Sequence, residues 1–492
     1  MGNLKNEPEK KIDQQEINYV PFGTENIQLK PENEPKQVDT LYMYFAVLTC
    51  QLIVFVAGGA AVWTSPTIPI LLSNNTHINP LSEPITPVQT SMLVGFPNFL
   101  SIVGCLFFPK LSDVIGRKNF LQVMSILIFV SGILLAFSKE VSLLIAARSI
   151  SCIFYTASFT VISVYISEIS EDFQRAKFGC FLGAFHQIGH FYCYVIGPFF
   201  NINLLTILIV FPTIIFFVLA FFLPESPTFC LLKKREVQCM KSLSKLRSYK
   251  TQKELESDMS KIDQVIKVSS DQKSLKYLFK TKENRVGFML GLLPCIAQQS
   301  SGISAIMIFL APIFNSAGTR FSGNHVAMIV GMVKMITFTF TSFVVERVGR
   351  RRMLLFSSVG TSMSLFFLGL FFFLKHLESP IVAHLQWLPF VSVISLVFMY
   401  SLGLGPIPVG IMNELFAPNY RAAASSLVMA LAMIVVTIIT AAYPLVAQTF
   451  GPHWCILMFS FLCLGGSTMM FIYLPETKGM SLNEIQEMLK KY

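Results

Sequence analysis

Charge is scarce in this 492-residue chain. Asp, Glu, Lys and Arg together make up 13% of it, hydrophobic residues reach 53%, and the mean hydropathy is +0.60. An average soluble domain carries about 25% charged residues, so that class is excluded. The ten cysteines fall mostly inside apolar runs and only Cys455 is expected near an outer face, which excludes an extracellular disulfide framework. No G-x-x-x-x-G-K-[ST] loop occurs, so primary ATP-driven pumping drops out for this one chain. No nucleophile–base set or metal-ligand cluster stands out, so enzymatic catalysis has little footing and no cofactor or metal is expected. The polar first 40 residues hold no apolar h-region, so a cleavable signal is not expected and the first apolar run should act as the insertion signal. Their Lys, Glu, Pro and Gln content reads as disorder.

Long apolar runs are what the chain has. About 20 helical residues cross a ~30 Å hydrocarbon core, and twelve runs are long enough to do so. They cover 42–63, 89–109, 120–137, 141–167, 178–200, 204–223, 287–314, 326–345, 353–374, 386–412, 423–449 and 455–474. The expectation is an all-α membrane protein with twelve transmembrane helices. Gly and Pro inside several runs are compatible with this, because neighbouring helices can satisfy the backbone groups they free.

Basic residues set the expected orientation. With the N-terminus inside, 33 of the 38 Lys and Arg fall in cytosolic segments; three (Lys139, Arg320, Lys375) fall in outer loops, and Arg148 and Lys334 lie within spans. Both termini should therefore be cytosolic, and the formal +10 reads as positive-inside bias rather than nucleic-acid binding. The three tryptophans, Trp63, Trp387 and Trp454, sit at outer ends of spans and read as interface anchors. Asn74-Asn75-Thr76 is a glycosylation sequon on a predicted outer loop, with Asn74 as acceptor.

The chain also repeats itself. "KLSDVIGRK" after the second run matches "FVVERVGRRR" after the eighth, with Asp113 and Glu346, and likewise Gly116 and Gly349, 233 residues apart. "YISEISEDFQR" and "IMNELFAPNYR" close the fourth and tenth runs, with Glu168 to Glu414 and Arg175 to Arg421 both 246 apart. "LPESP" and "LPETK" follow at a spacing of 251. Three matched pairs in one order imply two pseudo-symmetric six-helix bundles, 42–223 and 286–474. A disordered tail (1–41) precedes them, a cytosolic linker (224–285) joins them, and a cytosolic tail (475–492) follows. In the linker, Leu243, Leu246, Leu255 and Ile262 fall at helical spacing, which predicts short supporting helices.

Each repeated motif sets an acid beside arginines at a cytosolic mouth. Asp113 with Arg117, Glu168 with Arg175, Glu346 with Arg350 and Arg351, and Glu414 with Arg421 can pair across the halves, since the guanidinium fork stays charged and grips carboxylate bidentately. Such a network can hold the inner side shut and open when broken. The plainer alternative is that the pairs fix loop geometry, which accounts for the arginines but not for the matching acids at fixed offsets.

These motifs, with "QQSSGIS" (298–304), "GLGPIP" (403–408), "NELFAPNYR", "WTSPTIP" and the ending "LPETKGMSLNEI", resemble those of the sugar porters of the major facilitator superfamily, including insect facilitated trehalose transporters and animal glucose facilitators. The resemblance covers most of residues 42–488. It implies an alternating-access carrier of the plasma membrane, with a small molecule, a sugar, bound between the halves near midplane. Gln187, Gln298 and Gln299 match the family's substrate-binding glutamines; an amide offers sugar hydroxyls both donor and acceptor, although hydrogen bonding between helices stays open as a reading. Gly405-Pro406-Ile407-Pro408 lacks two backbone donors and should bend the tenth span as a gate. The cradle departs from the family: Ser304 stands for Asn, Val409 for Trp, Ala432 and Met433 for an Asn-Trp pair, and Ile308 and Phe309 for an aromatic gate pair. Arg148 matches the family's arginine and implies a brace for helix packing.

Lys334 departs furthest. It precedes Glu346 by twelve residues, ~18 Å of helix, which puts it near midplane, and there it replaces the family's span-eight Asn. No acid lies inside any of the twelve runs to neutralise it. Three roles stay open: an anchor for a substrate carboxylate, phosphate or sulfate; a hydrated donor to a neutral polyol; or a lock on a neighbouring helix. His186 and His190 flank Gln187, and two histidines are too few for a metal site, so local hydrogen bonding is expected. The family's proton-coupled members carry an acid in span one; this chain has none there, which points to uniport. A facilitator of an anionic metabolite anchored by Lys334, and a solute sensor that binds without cycling, remain the alternatives to a neutral-sugar facilitator.

Overall fold

The computed structural model describes residues 38–75, 77–270, 281–318, 322–416, 418–476 and 482–491, and the side chains of Glu346, Glu414 and Arg421 lie outside the described set. So do most of the expected N-terminal tail and the sequon's Thr76. Among the described residues every regular element is a helix. Among the same residues eleven segments are long and apolar enough to cross a membrane. The remaining apolar run, the fifth, is also a helix, α7 below, of 25 residues. Its mean apolarity is lowered by Arg175, Lys177, His186, Gln187 and His190.

Five spans are built from two or more helices. The first is α1 (Leu41–Ala61) and α2 (Thr64–Leu71), the second α3 (Pro87–Leu106) and α4 (Phe108–Ile115). The third to fifth are single helices: α5 (Arg117–Ala136), α6 (Val141–Ile169) and α7 (Asp172–Ile196). The sixth divides at Phe211 into α8 (Ile202–Val210) and α9 (Pro212–Ala220), where Pro212 removes a backbone donor. The predicted linker helices are present as α10 (Pro227–Leu232), α11 (Glu236–Leu246) and α12 (Gln252–Ser270). They close on a small apolar cluster of Cys230, Cys239, Leu243 and Leu255.

In the second half α13 (Lys282–Ser300) gives way to α14 (Ile303–Ile308) and α15 (Leu310–Ala317). Single spans α16 (Gly323–Val348) and α17 (Arg350–His376) follow. The tenth span is α18 (Leu388–Leu402) and α19 (Ile407–Leu415), interrupted over 403–406 as the Gly405-Pro406 sequence predicts. Then come α20 (Pro418–Thr449), α21 (Pro452–Tyr473) and the short α22 (Leu482–Lys491). Polar side chains knit neighbouring helices: Ser362 and Ser460 each donate to the other's carbonyl, at 2.9 and 2.8 Å, across α17 and α21.

The two motif glycines adopt one conformation. Gly116 (φ 99°, ψ 151°) separates α4 from α5, and Gly349 (φ 102°, ψ 146°) separates α16 from α17. A side chain is disfavoured at this φ, and a Cβ on Gly116 would stand 2.4 Å from a Glu225 oxygen. Behind each glycine an acid receives the next helix's first amides. Glu225 accepts from the backbone N–H of Arg117 (3.0 Å) and Lys118 (3.2 Å), and Glu476 from that of Arg351 (3.5 Å). Lys118 and Arg351 then donate side-chain bonds to Phe221 and Phe471 carbonyls. The sequence repeat is thus a repeat of hydrogen bonds.

Two of the three tryptophans lie at the surface, where the anchor reading needs them. Trp387 and Trp454 are 53% and 57% exposed. Trp63 is 1% exposed: its Nε1 donates to Thr206 Oγ1 (2.8 Å), and the Arg148 guanidinium lies 5.0 Å over its ring. A tryptophan at a span end reads as an anchor, but here a buried cation inside the bundle needs its π face, and that draws the ring inward.

Candidate functional site

Three features meet in the middle of the bundle: the α13–α14 break, the α18–α19 break, and the packing of α7 against α16. The first break is set by Gly302, at φ 66°, whose added Cβ would lie 2.2 Å from the Phe459 ring. Ser301 turns its hydroxyl back to the Gln298 carbonyl at 2.6 Å. Gln298 Nε2 donates to the Gly405 carbonyl at 2.7 Å, so one predicted ligand ties the two breaks together. Gln299 and Ser304 are half-buried, in a stretch where Ile303, Ala305, Ile306 and Met307 are buried. Val409, half-buried, packs on a cluster with Phe288, Met412 and Phe416. Ile308 and Phe309 are buried, and Phe309 stacks on Tyr443 with centroids 4.9 Å apart.

On the other side, α7 carries His186, Gln187 and His190. The Gln187 side-chain oxygen is buried and has no hydrogen-bond partner among the described residues. His190 Nδ1 meets the His186 carbonyl at 2.9 Å, the local bonding expected of this pair, and the two rings meet edge-on at 4.7 Å. Lys334 is 8% exposed on α16.

Hydrogen bonds join the halves away from the basic face. Ala311 N–H donates to Ser65 Oγ (3.3 Å), Tyr194 OH to the Met307 carbonyl (2.9 Å) and Asn98 Nδ2 to Thr440 Oγ1 (3.0 Å).

At the basic face the charged motif residues of the first half converge. Arg117, 4% exposed, holds both oxygens of Glu168 through Nε and Nη2 at 3.0 Å each, and Nη2 also reaches Asp113 at 2.8 Å. The Ser226 hydroxyl donates to Glu168, and the guanidinium lies 5.4 Å over Phe229. Sequence reasoning coupled Glu168 with Arg175. Instead Glu168 takes Arg117 and Ser226, and Arg175 Nε donates to the Ser167 carbonyl (3.1 Å). These contacts lie within one half of the chain. Arg350 opens α17. The expected partners Glu346, Glu414 and Arg421 fall among the side chains outside the described set.

Two acids that sequence reasoning passed over organise this face. Glu225 caps α5; burial lifts its carboxyl above the usual range, against the downward pull of the backbone N–H bonds it accepts. Glu171 forms ion pairs with Arg247 (Nε at 3.1 Å) and Lys250 (Nζ at 2.5 Å) and accepts from the Tyr249 hydroxyl (2.9 Å), which ties the linker to the α6–α7 turn. Asp258 closes the same cluster through Arg247 and Lys250; burial works upward on it, yet the Lys250 hydrogen bond and the Arg247 charge outweigh that and its pKa is lowered. Asp39 is lowered too, chiefly by the bond from Lys177. The match of Glu225 to Glu476 was the signal available for the first; nothing in the sequence marks Glu171. Asn74 is exposed on the loop between α2 and α3, which Asn79 pins through the Leu71 and Ser73 carbonyls.

The broken spans, the paired glycine turns and the polar centre define a twelve-helix membrane protein of the major facilitator fold. A solved structure of the inward-open xylose transporter XylE from E. coli superimposes with a TM-score of 0.76 at 17% identity, covering 91% of this chain and all of that one. The chain belongs to the sugar (and other) transporter family, whose model matches residues 40–489. It is 28% identical over 458 residues to the facilitated trehalose transporter Tret1 of Culex quinquefasciatus, covering 93% of this chain and 87% of that protein. It is equally identical over 475 residues to trehalose transporter 1 of Drosophila melanogaster, of which it spans 55%.

Proposed function

We propose that the protein is a facilitative carbohydrate transporter of the plasma membrane, a uniporter that works by alternating access with both termini cytosolic. Membership of the sugar transporter family supports the class. The observation that carries the reading is the polar centre itself: Gln187, Gln298, Gln299 and Ser304 on helices from both halves, beside two broken spans that can hinge. An unpartnered amide oxygen at Gln187 suits a sugar hydroxyl. The two bundles, 42–223 and 286–474, rock about this centre; the Arg117–Glu168 frame and its second-half counterpart brace the cytosolic mouth, and Gly405, Pro406 and Pro408 give the tenth span its bend. The bonds from Ala311 to Ser65 and from Tyr194 to Met307 favour a state closed on the outer side. Span one, Leu41–Leu71, holds no acid to carry a coupling proton, which favours uniport. Trehalose and hexoses lead the panel because two relatives are named for trehalose transport.

The test is uptake of radiolabelled carbohydrates into proteoliposomes. Saturable flux, unaffected by a pH gradient and reduced roughly tenfold or more by Gln298→Ala, supports the reading. Saturable binding without flux for every carbohydrate tried would leave a sensor in its place.

A further inference from the structure

Lys334 has no counter-ion among the described residues. Among the described residues neither an ion pair nor a hydrogen bond holds its ammonium, although the residue is 8% exposed. It lies eleven residues from the start of α16 and fourteen from its end, ~16 and ~21 Å of helix, which leaves its ammonium within the apolar span.

Its level is set by two contacts. Gly331 abuts α7 at Phe191 and Tyr194, and Phe338 lies over Gly183. The helices run antiparallel, so Lys334, between 331 and 338, sits level with Gln187, between 183 and 191. One site thus holds an uncompensated cation, a buried amide oxygen lacking a donor and, when His190 Nδ1 donates to the His186 carbonyl, an accepting Nε2. A neutral sugar would satisfy the two acceptors but offer the ammonium only hydroxyl lone pairs, leaving its charge without a counter-charge. A polyhydroxylated acid satisfies all three.

We propose that Lys334 is the counter-ion for an anionic group on the cargo, and that this protein carries a sugar acid: carboxylate on Lys334, hydroxyls on Gln187 and His190. The inference rests on the carrier reading for its transport meaning and on the site alone for its binding meaning. One consequence is electrical. The loaded site is neutral and the empty one positive, so each uptake cycle moves one net negative charge inward, and an inside-positive potential should speed uptake of the acid without touching that of a neutral sugar.

The experiment pairs each acid with its neutral relative on the purified full-length chain: glucuronate with glucose, galacturonate with galactose, gluconate with glucitol. Expected for the wild type is roughly tenfold or tighter binding of at least one acid over its partner. Lys334→Gln should abolish that preference by weakening the acid roughly tenfold or more, and Lys334→Arg should keep it. The wild-type ratio decides alone if either variant fails to fold. Equal or weaker binding of all three acids, or no binding of any ligand, overturns the proposal. So does a Lys334→Gln variant that loses acid and neutral sugar alike. Uptake by the same preparations separates the two readings. Neutral flux without acid preference overturns this one and keeps the carrier; acid-selective, Lys334-dependent binding without flux keeps this one and overturns the carrier.

Discussion

Replacing Arg117 alone should destabilise the protein more than replacing Arg117 and Glu168 together. Arg117 is the hub of the basic face: two 3.0 Å bonds bind it to Glu168, which is itself only 13% exposed. Asp113 is 58% exposed, so its 2.8 Å contact adds little. In Arg117→Met the Glu168 carboxylate keeps only the Ser226 hydroxyl among its described partners and stays buried with its charge uncompensated. Breaking a buried pair on one side costs about 3–5 kcal/mol, whereas neutralising both partners is close to free. At about 2 °C per kcal/mol for a large chain, Arg117→Met should lower the melting midpoint by roughly 6–10 °C. Arg117→Met with Glu168→Gln should recover most of that. Scanning fluorimetry of the detergent-purified protein reads both. A single variant within about 2 °C of wild type, or a double variant worse than the single, would refute the reasoning.

Other sites give equally direct outcomes. Trp63→Phe loses the bond to Thr206 and should cost about 1–3 kcal/mol, while Trp454→Phe at the exposed rim should leave the melting midpoint unchanged; equal effects would return Trp63 to the interface-anchor reading. Gly302→Ala forces an unfavourable φ, at about 1–2 kcal/mol, and drives a methyl into Phe459, so folded yield should fall and Phe459→Leu should partly restore it. Ser65→Cys paired with Ala311→Cys should form a disulfide under mild oxidation that stops flux reversibly; unimpaired flux after complete cross-linking would show that this contact never opens.

The spans were legible because apolar length is a one-dimensional signal that survives without neighbours. Even α7, the least apolar of them, was found, since its polar residues interrupt a run and do not end it. Linker helices were legible from the spacing of Leu243 and Leu255, and the break in the tenth span from Gly405-Pro406. What stayed hidden was partner choice. Charged residues at fixed offsets identify a network, but whether Glu168 takes Arg117 or Arg175 depends on how α4, α5 and α6 pack. Trp63 misled for the same reason: its fate turns on Arg148 and Thr206, which are distant in sequence. Lys334 was visible at once as an anomaly, but its level beside Gln187 needed the α7–α16 contacts at Gly183 and Gly331.

Counterflow is the measurement closest to the central claim that one central site faces each side of the membrane in turn. Proteoliposomes loaded with unlabelled carbohydrate, neutral or acidic, and diluted into a trace of the same labelled compound should accumulate label transiently above equilibrium. Oxidising the Ser65→Cys, Ala311→Cys double variant to its disulfide should remove the overshoot. Uptake that rises linearly with concentration and never overshoots, for every compound tested, would contradict the account.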